Sequence, residues 1–79
     1  MLTTGTRVAG FYCGNHAFVG TIVERRHLTV PTDGAVEYMI DLEAPIEVYG
    51  EVRSRLCLVA KHDGSPSSYT KFSDRIYAA

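Results

Sequence analysis

The chain has 79 residues, enough for one domain and one hydrophobic core. Hydrophobic residues make up 46% of it and charged residues 22%, too apolar for a disordered tail and too mixed for a membrane protein. The formal net charge of −1 argues against a generic polyanion binder.

No apolar run reaches the length needed to cross a bilayer. No basic leader followed by an apolar stretch and a small-residue cleavage site opens the chain, so neither export nor membrane insertion is expected. Cys13 and Cys57 are the only cysteines, too few for a disulfide-built scaffold. The expected setting is therefore a reduced cytoplasm. A core this small is marginal, and a homodimer would stabilise it.

In chain order the pattern is β throughout. Arg7 to Cys13 reads as a short strand between Gly5 and Gly14, and Gly14-Asn15-His16 as a turn. Ala17 to Val30 is rich in Val, Ile, Thr and Phe, which suit a pleated surface. Phe18 and Ile22 share one face of it, and Val19, Thr21 and Val23 the other. Both faces are half apolar, which fits a strand buried on both sides, as at a dimer interface. Pro31-Thr32-Asp33-Gly34 carries turn chemistry and predicts a hairpin with its tip near Asp33-Gly34.

The clearest strand follows. Val36, Tyr38, Ile40 and Leu42 alternate with Glu37, Met39, Asp41 and Glu43. Period-two alternation sends the first set to the core and the second to solvent. Pro45 interrupts the ladder, because it has no amide hydrogen to donate. Ile46 to Val48 then forms a short strand ended by Gly50, and Leu56 to Ala60 a final apolar strand. Asp63 to Ser68 is a polar loop. In the tail, Phe72 and Ile76 stand one helical turn apart, so a turn of helix, a strand or a frayed end all fit.

About five short antiparallel strands in residues 5–60, followed by a C-terminal loop and tail over 61–79, make one all-β domain spanning 1–79. The order Gly5-Thr6-Arg7-Val8, Gly20-Thr21-Ile22-Val23, Tyr38-Met39-Ile40-Asp41-Leu42, a short strand and a last apolar strand resembles the SH3-like small barrel superfamily, which includes Tudor and KOW modules. The resemblance implies a small SH3-like barrel and, because such barrels host unrelated activities, no single function. The segment Leu42-Glu43-Ala44-Pro45-Ile46-Glu47-Val48-Tyr49-Gly50 also resembles segments of short bacteriophage proteins.

Charge is laid out in blocks. Residues 1–30 carry a net of +2, residues 31–51 a net of −6 with no Lys or Arg, and residues 52–79 a net of +3. Glu37, Asp41 and Glu43 share the outward face of the central strand, and Glu47 and Glu51 follow on the next segment. A field of one sign attracts a basic partner and speeds its association. With Tyr49 as an aromatic anchor, these residues predict a non-enzymatic binding module. The phage-like segment narrows this to a small inhibitor or adaptor, of anti-CRISPR type, on a basic nucleic-acid-binding protein such as a CRISPR effector. The bland alternative is that Arg25, Arg26, Arg53 and Arg55 neutralise the strip across strands.

Two further readings stay open. Arg25, Arg26, Arg53 and Arg55 offer a basic patch for nucleic acid, with Phe11, Tyr12, Tyr49 or Tyr69 to stack on bases, although a clear basic excess is lacking. Ile46-Glu47-Val48-Tyr49 resembles the Val-Gln-Ile-Tyr strand of plasmid-type dihydrofolate reductase, a tetrameric SH3-like barrel. That resemblance implies an oligomeric reductase, but Glu47 replaces the glutamine and would repel an anionic cofactor and substrate. Cys13 with His16, and Cys57 with His62, are the sole candidate metal ligands. Their spacing is unlike that of zinc sites, and no metal or cofactor is expected.

Overall fold

Alternation in the middle of the chain becomes the centre of a single antiparallel sheet. In a computed structural model, residues 2–29, 33–69 and 74–79 are described. They form β1 (Arg7–Tyr12), β2 (His16–His27), β3 (Ala35–Val48), β4 (Glu51–Lys61) and β5 (Arg75–Ala78). The sheet order is β4-β3-β2-β1-β5, so β1 to β4 form a meander and β5 returns beside β1. No described residue is helical.

The inward positions of β3 are those the alternation selects. Val36, Tyr38 and Ile40 are fully buried, and Leu42 packs against the same cluster. Phe18 and Ile22 of β2, Val8 of β1, Leu56 and Leu58 of β4 and Ile76 of β5 complete the core. Glu37, Met39 and Asp41 are left half-exposed on the outside. Tyr38 keeps its hydroxyl satisfied by donating to the Lys61 carbonyl at 3.1 Å.

One sheet encloses a core only if it coils, and close backbone approaches allow it to. A Cβ on Gly20 would lie 2.4 Å from the Asp41 carbonyl oxygen, and one on Gly10 2.1 Å from that of Arg75. Both glycines sit where a strand folds inward over its neighbour. Beyond β4 the chain turns back, and the Ile76 amide donates to the Gly64 carbonyl at 3.0 Å. That bond joins the segment after β4 to β5, so the sheet partly closes into a barrel. Asp33 fastens the same segment to the β2–β3 turn by accepting from the Ser68 amide at 2.8 Å and the Ser67 hydroxyl at 2.9 Å.

Two expectations change, and a third, left open, is decided. The fifth strand comes from the tail, not from the first 60 residues. Pro45 does not end the third strand: β3 runs on to Val48, and the pairing with β4 skips from Asp41↔Arg55 to Ile46↔Arg53. Pro45 sits in the skipped stretch, where no ladder bond is asked of it. Of the conformations open for the tail, Ile76 takes the strand, in β5; Phe72 falls outside the described residues. So do Val30, Pro31 and Thr32 of the expected β2–β3 turn, while Asp33-Gly34 do form a turn.

Candidate functional site

Outward residues of β3 lie beside arginines of the neighbouring strands. Arg26 is directly opposite Glu37, and Arg55 directly opposite Asp41. Cross-strand neighbours of opposite charge attract. Arg26 Nη2 meets Glu37 Oε1 at 2.7 Å, and Arg55 Nε donates to Asp41 Oδ1. Arg7 reaches across β2 and donates from both Nε and Nη2 to the Glu43 carboxylate. This two-point contact holds the Glu43 carboxyl below its ordinary range. Arg53 stands 3.6 Å from Glu51. Four of the five strip carboxylates thus face a guanidinium, and the outer face of β3–β4 alternates in sign. Of the two readings, the neutralised strip describes these four: Arg26, Arg53 and Arg55 take part as named, and Arg7 stands where Arg25 was expected. Glu47 alone of the five has no ion pair among the described residues.

The same contacts divide the expected basic patch. Arg26 and Arg55 are engaged with β3. Arg25 turns to the N-terminal segment and donates from Nη1 to the Leu2 carbonyl at 2.8 Å. Arg53 points toward the core end of the β3–β4 hairpin, its Nε buried without a partner among the described residues. The four arginines do not form one phosphate-tracking surface.

A different feature stands out at the end of the molecule. Val48 pairs with Glu51, leaving Tyr49-Gly50 as a two-residue hairpin loop. Both loop residues have positive φ, +49° for Tyr49 and +82° for Gly50, the combination of a type I′ turn. Asn, Asp or Gly ordinarily fills the first position, because a larger L-residue is strained there. Tyr49 is nevertheless 75% exposed, and Val52 just behind it is 72% exposed. Glu47, opposite Val52, and Glu51 flank the ring. The Tyr49 ring meets the His16 ring edge-on, with centroids 5.5 Å apart. His16 Nδ1 in turn lies 3.1 Å from the Tyr12 carbonyl. The ring is thereby held out from the sheet against the β1–β2 turn.

That neighbouring turn carries the second strained residue, Cys13 with φ +50°. Its amide donates to Asp74 Oδ1 at 2.8 Å. Burial pushes the Cys13 thiol up, and the Asp74 carboxylate adds to the rise. Burial likewise raises the Cys57 thiol, with Glu37 contributing. Both shifts disfavour the thiolate form.

The four candidate ligands lie at three places. Cys13 and His16 share the β1–β2 turn, Cys57 is opposite Met39 in mid-sheet, and His62 donates its amide to the Gly34 carbonyl at the other hairpin. No group of three or more His, Cys, Asp or Glu residues converges on a metal position among the described residues. Tyr49 occupies a turn, whereas the reductase resemblance calls for a strand residue. Glu24, Arg25, Arg26, Glu37 and Met39 line a groove beside the irregularity in β2; Arg26 and Glu37 pair with each other there, and Arg25 donates to the Leu2 carbonyl. Among the described residues no helix is long and apolar enough to cross a membrane.

Sequence reasoning selected Tyr49 but missed its turn, Val52 and the His16 contact. The signal was present, since Tyr-Gly followed an alternating run and preceded another strand. No family model, curated protein or solved structure matches the chain.

Proposed function

We propose that the protein is a non-enzymatic binding module, a small phage-type inhibitor or adaptor, and that the β3–β4 hairpin tip is the part that enters its partner. The observation that carries this reading is Tyr49: a bulky aromatic in left-handed backbone, three-quarters exposed, at the apex of a hairpin. A strained residue whose only ring contact among the described residues is the edge of His16, and which leaves most of its surface to solvent, points to recognition. Exposed tyrosines with few rotamers to lose make effective anchors. Glu47 and Glu51 on either side, against Arg53 alone, give the tip an acidic rim, which suits a basic partner surface. A protein that handles nucleic acid, a CRISPR effector for example, presents such a surface. Glu37, Asp41 and Glu43, neutralised by their arginines, contribute shape more than field. The strand order, with β5 returning beside β1, supports a place in the SH3-like barrel superfamily.

The test is capture from a lysate of the native host by the immobilised chain, followed by affinity measurement on the purified captured protein. Tyr49→Ala and Glu51→Lys should each abolish capture while leaving the circular dichroism spectrum unchanged. Reversing Glu37, Asp41 and Glu43 together should leave most of it. Undiminished capture by Tyr49→Ala would sink the reading. Tight binding of a random oligonucleotide with steep salt dependence would replace it with the nucleic-acid alternative.

A further inference from the structure

The outer surface of the sheet has two unlike halves. Around β3 it is charged, with Glu37, Asp41 and Glu43 paired to Arg26, Arg55 and Arg7. Where β5, the second half of β1 and the start of β2 lie side by side, it is mostly apolar. Val8, Phe18 and Ile76 point inward on these strands, so their neighbours point out. Register then lines up Tyr77, Ala9 and Val19 in one row, and Arg75, Phe11 and Ala17 in the next. Tyr77 is 51% exposed, Ala17 is exposed, and Ala9, Phe11 and Val19 are half-buried.

The charges bordering it are the informative part. On the β5 side, the Arg75 guanidinium lies 4.8 Å from the centre of the Phe11 ring and has no carboxylate partner among the described residues. On the opposite side, beyond β2, the β3–β4 hairpin reaches the start of β2 through the Tyr49–His16 contact. Glu47 faces outward there, since Val48 is buried, and it too lacks an ionic partner among the described residues. One unmatched cation and one unmatched anion thus flank one apolar strip.

We propose that this face is the interface of a two-fold homodimer in which Arg75 of each copy meets Glu47 of the other. A two-fold axis normal to the strip exchanges its two sides. It brings each cation to an anion, twice, and lays the apolar rows of one copy on those of the other. A foreign partner would have to supply an anion and a cation at the same spacing around an apolar centre. A second copy does so by symmetry. Burial of the strip also relieves the small core of its marginality, because association stabilises the folded form. Tyr49 and Glu51 stay at the hairpin apex, so each dimer presents two tips. The inference is independent of the role proposed for Tyr49; it takes Glu47 into the dimer seam and leaves Glu51 as the acidic side of each tip.

Sedimentation of the purified full chain across a micromolar to millimolar range tests it. The wild type should run as a dimer. Arg75→Glu and Glu47→Arg should each weaken dimerisation by about tenfold or more. The double variant, which restores opposite charges in swapped positions, should recover most of the loss. Ala17→Glu, at an exposed position at the β2 side of the strip, should give a folded monomer, and it carries the test if Arg75→Glu fails to fold. Tyr49→Ala should leave the mass unchanged. A monomeric wild type at every concentration overturns the proposal. So does a dimer indifferent to Ala17→Glu, or a folded double variant no better than the singles.

Discussion

The backbone amide of Cys13 donates to the side chain of Asp74 across 61 positions of sequence, at 2.8 Å. This one bond fixes the β1–β2 turn to the residue just before β5. It also leaves a carboxylate 95% removed from solvent, since Asp74 retains only 5% of its exposure. Burial pushes the Asp74 carboxyl above its ordinary range, and the Cys13 amide pulls it part of the way back.

A pH dependence follows, with a sign opposite to that of most carboxylates. The folded state holds the Asp74 proton at pH values where the unfolded chain has lost it. Stability therefore falls as pH rises from the ordinary Asp range through the raised folded value, and the cost is constant above that. Asp33, Glu43 and Asp63 are held low by their hydrogen-bond partners and act the other way, losing their contribution on acidification. Asp74→Asn isolates the first group, because an amide oxygen can still accept from Cys13. Urea unfolding should find the variant more stable than the wild type at pH 7, with the gap closing toward the ordinary Asp range. Asp74→Ala, which orphans the Cys13 amide, should be destabilised by about 1–3 kcal/mol.

Tyr38 combines the largest fully buried side chain with a single hydrogen bond, from its hydroxyl to the Lys61 carbonyl. Tyr38→Phe removes the bond and keeps the ring, and should cost about 1 kcal/mol. Tyr38→Ala opens a cavity at the centre of β3 and should cost about 3–5 kcal/mol, a large share of the stability of so small a domain. Chemical denaturation of both variants separates the two contributions.

Tyr38 was legible in the sequence because it lies in a long strand with one clean polar face. β5 was not. It has four residues and one inward side chain, Ile76, which is too little for any periodicity to register. The first half of β4 was hidden for another reason: Arg53, Ser54 and Arg55 are a polar run, and the apolar side chains of that hairpin, Ile46 and Val48, come from β3. The acidic strip was read correctly as outward, but its neutralisation depends on register. Arg26 meets Glu37 only because β2 slips by one residue between Ile22 and Glu24. Arg7 meets Glu43 across an intervening strand. Neither relation is written in local spacing. Tyr49 was visible as an exposed aromatic, whereas its strain belongs to a turn whose two-residue length was not read.

Gly10 and Gly20 test how the sheet coils. Neither needs positive φ; what each lacks is room, since an added Cβ would lie 2.1 Å and 2.4 Å from backbone carbonyl oxygens. Backbone cannot move aside as a flexible side chain can. Gly20→Ala should cost about 2–3 kcal/mol by forcing β2 from β3. Gly10→Ala should act more locally, releasing β5. Hydrogen exchange should then show lost protection at Ile76 and Ala79 while the β2–β4 amides remain slow.

Tyr49→Asn sets stability against recognition at a single position. Asn tolerates the left-handed conformation that Tyr49 adopts, and Asn-Gly is the preferred pair for a two-residue hairpin loop. Relief of that strain should raise stability by about 1 kcal/mol. The edge-on contact with His16 is lost in the same step, which offsets a part of the gain. Partner capture should fall to the level of Tyr49→Ala, because the anchor is gone while the turn is better formed. A more stable, inactive variant would mean that the chain keeps a strained tyrosine for the sake of binding. A variant that is less stable and still captures the partner would mean that Tyr49 is there to hold the two hairpins together through His16, and that the binding surface lies elsewhere.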